Sequence, residues 1–255
     1  SSVDSKAIES RPVATVTEAL QGLVPGLNIS TSGAGGQLDA TKGFNIRGAG
    51  TIGAGSTSSP LVLIDGMEGN MNAINPNDIE NISVLKDAAA ASIYGSRAPF
   101  GVILITTKKG KEGSFNVEYS NQTSYKNMYN PWDLLDAGQT ISLTRRLYEQ
   151  TQDAAYNKWT AQQATYRGKG TDWLKETTHD AVTVLHQFSV SGGTDRLSAF
   201  MSANYLSEPG ILLNTDYSRY GGRTNLQYKI SPKVRAGANV SFSQSKKKFL
   251  DMGTI

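Results

Sequence analysis

Residues 60–111 read PLVLIDGMEGNMNAINPNDIENISVLKDAAAASIYGSRAPFGVILITTKKGK, and this stretch decides the fold. It opens on Leu61-Val62-Leu63-Ile64, an unbroken apolar run of the kind a strand covered on both faces requires. Asp65-Gly66 predicts a turn. Asn75-Pro76 reads as a cap followed by proline at the first helical position, with Asp78 in the first turn. Ile79, Ile82 and Leu85 mark a passage from helix to strand. Asp87 is expected to cap a helix over Ala88 to Tyr94, which Gly95 stops. Val102 to Thr107 is a second buried strand, closed by Lys108-Lys109-Gly110. With so little slack between elements, the stretch predicts a compact α/β module.

Working upstream, Thr15 or Thr17 caps a helix with Val16, Leu20, Leu23 and Val24 at helical spacing, ended by Pro25-Gly26. Leu27 to Ser30 starts a strand, and Gly43 to Gly48 is a short one with Phe44 and Ile46 on one face. Segments 32–41 and 49–59 are Gly- and Ser-rich loops.

Downstream, from Ser114, the period becomes two. Phe115, Val117, Tyr119, Thr123 and Tyr125 alternate with Asn116, Glu118, Ser120, Gln122 and Lys126. The same alternation returns over 184–191, 197–205, 219–230 and 234–243. It sets Leu226, Tyr228, Ala238, Val240 and Phe242 against Arg223, Asn225, Gln227 and Asn239. Several strands approach the length that crosses a bilayer when tilted. The connections run long (Tyr129 to Val182, with helical material over 140–159), short (Gly192 to Asp195), longer (around Pro209-Gly210) and short (Ser231 to Lys233). That rhythm is the one an outer-membrane barrel shows. A soluble antiparallel sandwich also alternates. The Arg, Lys, Asn and Gln of the polar side suit a wet lumen, and tyrosines near strand ends suit an aromatic girdle. The expected fold class is an α+β plug followed by antiparallel transmembrane barrel strands. Five strands cannot close a barrel, whose practical minimum is about eight, so the expectation is the N-terminal part of a larger one.

Composition narrows the function. The net charge of +3 is spread along 255 residues, which argues against a nucleic-acid surface. Cysteine is absent, so neither disulfides nor thiolate metal sites are available. No apolar run is long enough for a transmembrane helix, and no signal-peptide pattern opens the chain, so Ser1 reads as a processed or trimmed start. A mean hydropathy of −0.35 does not exclude a barrel, whose apolar face takes only alternate residues. The basic runs at Lys108 to Lys111 and Lys246 to Lys248 read as solvated strand ends or as contacts with lipid headgroups or phosphates.

Candidate chemistry is sparse. Gly48-Ala49-Gly50-Thr51-Ile52-Gly53 matches GxGxxG, yet no helix can open on the Ala54 to Pro60 segment behind it. Asp65 to Asn70 lacks calcium-loop spacing. His179 and His186 come with neither GxSxG nor HExxH, and Asp172 with Glu176 reads as a solvated helix face. No enzyme, metal or cofactor is expected. Arg47 and Arg97, each close to a glycine in a tight module, call for a partner; the expected latch joins them to a wall carboxylate, Glu118. The bland alternative is a pair of surface arginines.

Several phrases together resemble the SusC/RagA type of TonB-dependent outer-membrane transporter: ALQGLVPGLNI (19–29), FNIRGAGTI (44–52), PLVLIDGM (60–67) and, most specific, INPNDIENISVLKDAAAASIYGSRAPFGVILITTKKGK (74–111). FSVSGGTDRLSAFMSANYLSEPGIL (188–212), RYGGRTNLQYKIS (219–231) and Thr171-Asp172-Trp173 extend the resemblance into the wall. Phe100 stands where the family wording carries Asn, which alters one contact. The resemblance implies a plug over residues 1–112 and about five strands of a twenty-two-stranded barrel over 113–255, with a long outer loop at 127–183. It implies active import of a nutrient, oligosaccharide or peptide, across a Gram-negative outer membrane. The implied partners are TonB, through a segment upstream of Ser1, a SusD-like surface lipoprotein, and outer-membrane lipid. Contact with cargo is expected from the Gly-rich loops at 33–43 and 48–59, with Gly50, Thr51, Ser56, Met67 and Asn70 as candidates. The alternatives are a passive porin-like barrel and a soluble glycan-binding protein.

Overall fold

The computed structural model describes residues 1–9, 11, 13, 15–31, 38, 42–46, 59–86, 92–98, 100–153, 168 and 170–248. It divides into two compact units. The first comprises Ser1–Tyr125, Val182–Gly210 and Asn214–Ile255; the second comprises Lys126–Ala181 and Ile211–Leu213.

The first unit holds two five-stranded sheets built on opposite rules. The plug sheet contains β1 (Ser2–Asp4), β4 (Leu61–Ile64), β5 (Met67–Glu68), β6 (Ile79–Leu85) and β7 (Val102–Thr107), in the order β1-β6-β7-β4-β5. The two unbroken apolar runs are neighbours: β4 and β7 pair in parallel, Leu61 opposite Val102 and Ile64 opposite Ile105. Both faces of β7 are covered, as its sequence demands. Ile103 and Ile105 join Val62, Ile82 and Val84 in one apolar cluster, where α1 (Ser5–Glu9) and α2 (Val16–Leu20) contribute Ile8, Val16 and Leu20. Val102 joins Leu63 and Ala98 on the opposite face.

The sequence expectations hold with local departures. Thr15 caps α2, its hydroxyl accepting from the Glu18 N–H at 3.3 Å. The helix stops at Leu20, before the expected Val24, and Gly22 and Gly26 then take φ of 77° and 79°. β2 (Leu27–Thr31) and β3 (Lys42–Ile46) form a separate antiparallel pair. Asn75 caps only a single 3-10 turn, Pro76–Asp78, where a helix was expected. Ile79, Ile82 and Leu85 all lie in β6. A bulge between Ile79 and Asn81 inserts one residue, so Ile79 and Ile82 share burial despite a helix-like spacing of three. The start of the helix expected from Asp87 lies outside the described residues; Ser92–Arg97 is 3-10, with Gly95 at φ 71°.

The wall sheet runs β12-β11-β10-β9-β8, antiparallel throughout its registered pairs and open among the described residues. Its strands are β8 (Phe115–Lys126), β9 (Ala181–Gly193), β10 (Leu197–Pro209), β11 (Asp216–Ser231) and β12 (Val234–Lys248). At 12 to 16 residues each they exceed the roughly 9–11 needed to cross a bilayer. The alternation is inverted relative to a soluble sheet. On β11, Arg223 and Asn225 are 5% and 4% exposed while Leu226 and Tyr228 stay open; on β12, Val240 and Phe242 are 64% and 65% exposed.

In the second unit, α3 (Ala137–Thr151) starts at a capping box. Asp136 accepts from the Gln139 N–H at 2.8 Å, and the Gln139 side chain accepts from the Asp136 N–H at 3.0 Å. Asp172 caps the short α4 (Trp173–Thr177), accepting from the Lys175 N–H, so its carboxylate serves the backbone rather than Glu176. A cleft of about 810 Å³ in this unit is lined by Trp132, Trp173, Leu134 and Asp133 among others.

Candidate plug–wall site

The site grows from a two-residue hairpin. β4 and β5 pair Ile64 with Met67, leaving Asp65-Gly66 as the turn, with φ of 49° and 88°. Positive φ at both central residues is the turn that fits the twist of a hairpin, and Asp followed by Gly is the pair that best accepts it. The turn carries the Asp65 carboxylate to the end of β7. There Oδ1 accepts from the Thr107 N–H at 2.9 Å and Oδ2 from the Thr107 hydroxyl at 2.6 Å.

Two wall strands then reach inward to the same carboxylate. Arg223 of β11 forms an ion pair with Oδ2 through Nη2 and also donates to Thr107 Oγ1 at 2.9 Å. Asn239 of β12 donates to Oδ2 at 2.6 Å. Burial alone would push the Asp65 carboxyl up; the hydrogen bonds from Thr107 and Asn239 and the Arg223 charge outweigh it and hold the group below its ordinary value. The Arg223 side chain is 4% exposed, and its Nε has no hydrogen-bond partner.

A second carboxylate repeats the arrangement one strand pair away. Asp78 closes the Pro76–Asp78 turn and is buried. Its Oδ1 accepts from Gln187 Nε2 of β9 at 2.9 Å and its Oδ2 from Ser202 Oγ of β10 at 2.8 Å. Here burial wins: it raises the carboxyl above its usual value despite the Ser202 hydrogen bond and the charges of Arg223, Lys108 and Arg219. Thus Asp78 clasps β9 and β10, and Asp65 clasps β11 and β12.

Lesser contacts complete the seat. Arg219 of β11 donates to the Asn72 carbonyl at 3.0 Å, and Ser198 of β10 to the Gly110 carbonyl at 2.7 Å. Gly110 lies so close to the backbone of Gly192 and Ala199 that any side chain there would clash.

Of the residues singled out from sequence, Arg47, Gly50, Thr51 and Ser56 lie outside the described residues, as does the Arg97 side chain. Met67 is exposed in β5, and Asn70 caps a turn by accepting from the Asn72 N–H at 2.9 Å. Glu118 borders a 180 Å³ polar cavity with Glu9, Lys108 and Gln187. The clasp the structure describes has the opposite polarity to the expected latch: its carboxylates belong to the plug and its arginine to the wall. The sequence alternation sets Arg223 and Asn239 on the lumen side, whereas Asp65 is expected in a chain turn and Asp78 in the first turn of a helix. The available signal was that an arginine on a face opposed to a plug needs an anion.

A family model described as TonB-dependent Receptor Plug Domain matches residues 1–102. The chain is 33% identical to TonB-dependent receptor P3 of Formosa agariphila, over 97% of this chain and 23% of that protein. It is 30% identical to TonB-dependent receptor SusC of Bacteroides thetaiotaomicron, over 92% of this chain and 23% of the relative. Among solved structures, the RagAB peptide importer in the closed-closed state superposes with a TM-score of 0.82 at 28% identity, covering 99% of this chain and 31% of that one. The chain therefore spans about a quarter of the length of the curated relatives it matches. These relatives are receptors and transporters, not enzymes. The plug match, the relatives and the shared plug-and-wall fold agree: the chain belongs to the SusC/RagA type of TonB-dependent receptors, proteins of the Gram-negative outer membrane.

Proposed function

We propose that this chain is the plug (1–112) and the first wall strands (113–255) of an active importer of oligosaccharide or peptide. The observation that carries the reading is the double clasp: two plug carboxylates, Asp65 and Asp78, hold four successive wall strands. A passive pore has no use for a plug fastened in this way. In this reading the 127–183 connection lies on the outer side and the short turns at 194–196 and 232–233 face the periplasm. Cargo meets the outer loops and the plug loops that carry Gly50, Thr51, Ser56, Met67 and Asn70. TonB draws on the chain upstream of Ser1, and the plug rearranges. A SusD-like lipoprotein covers the mouth; the name of SusC among the relatives supports that partner. A latch from Arg47 or Arg97 to Glu118 would add to the clasp.

The test is uptake of labelled oligosaccharides and peptides by cells carrying the full-length protein, with and without TonB. Uptake lost without TonB is expected. Uptake that continues at the same rate without TonB would make the protein a passive pore.

A further inference from the structure

The outward face of the wall is ordered in rows. The register sets His186 opposite Tyr205, Tyr205 opposite Tyr220, and Tyr220 opposite Gln244. Tyr205 and Tyr220 stack with ring centroids 4.8 Å apart, and the Tyr119 hydroxyl is 2.8 Å from His186 Nδ1. Four adjacent strands therefore place rings at one level. On one side of this row the outward positions are apolar apart from Thr224, with Phe188, Met201, Val240 and Phe242 exposed, down to Tyr228 near the other end of β11. Tyr220 and Tyr228 are eight positions apart, about 26 Å along a strand and less along a tilted barrel axis. An apolar band between two levels of rings is how a barrel wall meets the two faces of a bilayer.

On the other side of the ring row the character changes within one step on β11 and β12, while on β8 and β9 Tyr125 and Val182 stay exposed. Lys246 and Lys248 share the parity of Val240 and Phe242, so they stand on the lipid-facing side, and both are exposed. Lys247, opposite buried Tyr217, has the inward parity. Across from Lys246 is Ser218; across from Lys248 is Asp216, the one carboxylate on this face of β11 at that level. Among the described outward positions of β8 to β12, these two are the lysines, and they lie where headgroup phosphates begin. At the opposite end the outward positions are Ile230, Val234 and Ala236.

We propose that Lys246 and Lys248 bind the phosphates of the phosphorylated glycolipid, lipid A, that forms the outer leaflet. The choice of leaflet rests on the orientation proposed above. Two ammonium groups above an aromatic row match a headgroup with phosphates at the interface and acyl chains alongside the apolar band.

The full-length protein would be purified from outer membranes, and co-purified lipid A measured by mass spectrometry for wild type, Lys246→Gln and Lys246→Gln/Lys248→Gln. At about one surface lysine's contribution each, retention should fall about fivefold in the single variant and about thirtyfold in the double, with TonB-dependent uptake preserved. Lys233→Gln, at the opposite turn, should leave retention unchanged. Reconstitution into nanodiscs of lipid A, dephosphorylated lipid A or phosphatidylglycerol separates the sources: thermal stabilisation by lipid A alone, lost in the double variant, is the expected result. Unchanged retention in the double variant, or equal stabilisation by dephosphorylated lipid A, would overturn the site. Equal stabilisation by phosphatidylglycerol would overturn the assignment to the outer leaflet while leaving the importer reading, tested by uptake, intact.

Discussion

The plug sheet and the wall sheet lie in one chain and obey reversed rules. β7 is apolar on both faces and packed on both, with Ile103 and Val102 fully buried. β11 buries Arg223, Asn225 and Arg219 and exposes Tyr220, Leu226 and Tyr228. Apolar burial holds the plug together, whereas the wall is bound to it chiefly by polar groups, with one small apolar contact where Leu38 packs against Leu185, Leu206 and Tyr217. The difference is what a removable stopper needs. A continuous apolar core shared by plug and wall would fuse them, because its contribution grows with area and has no discrete point of release. Clasps made of two carboxylates and their donors fasten the same surfaces at identifiable atoms.

The hardest way to break the comparison is to put a charge into the plug core. Ile103→Asp buries an anion among aliphatic side chains and should cost about 5 kcal/mol or more, abolishing plug folding. Limited proteolysis of the full-length protein should then digest residues 1–112 while the barrel survives. Next comes the clasp. Arg223→Ala leaves the Asp65 carboxylate half-enclosed with Thr107 and Asn239 alone, at a cost of about 3 kcal/mol. Hydrogen exchange should rise at β4, β5 and the end of β7, and passive leak of a small antibiotic should increase, without global unfolding. A smaller loss, about 2 kcal/mol, is expected for Leu226→Arg on the lipid face, and close to none for Gln227→Arg on the opposite face of the same strand. Equal costs at 226 and 227 by urea titration in vesicles would erase the asymmetry between the faces.

The finest effect separates the two clasps. Asp65 is held below its ordinary carboxyl value of 3.8, so its contribution is complete above that pH and is lost as pH falls through the lower folded value. Asp78 is raised, so the folded protein holds that proton more tightly than the unfolded chain. Its contribution is complete below 3.8 and is lost as pH rises through the raised folded value. Mildly acidic solution above 3.8 should therefore favour both. Asp78→Asn should flatten the rise in thermal stability on acidification from neutral pH, an effect of about 1 kcal/mol or less; an unaltered pH profile would remove the titration from Asp78.

Much of this architecture was legible because periodicity is local. The runs at 61–64 and 102–107 specify doubly covered strands, and the period of two after Ser114 specifies the wall, including which parity faces inward. The bulge at Ile79–Asn81 was not legible, because one inserted residue turns a strand's spacing into a helix's. The clasps were hidden for another reason. Asp65 and Arg223 are 158 positions apart, and Asp78 and Ser202 are 124 apart. Each carboxylate also occupies a turn, where aspartate is already explained by backbone preference. For Asp65, only the requirement that a buried arginine find an anion links the two ends; Asp78, held by Gln187 and Ser202, has no such signal.

Accessibility along β11 and β12 tests the inverted wall most directly. The chain has no cysteine, so single cysteines at 225, 226, 239 and 240 of the full-length protein would carry the only engineered spin labels in this region. In lipid vesicles the labels at 226 and 240 should be relaxed by a lipid-soluble quencher, and those at 225 and 239 should be shielded from it beneath the plug. Equal access to the lipid-soluble quencher at 225 and 226, and again at 239 and 240, would contradict a wall that turns its polar face to the plug.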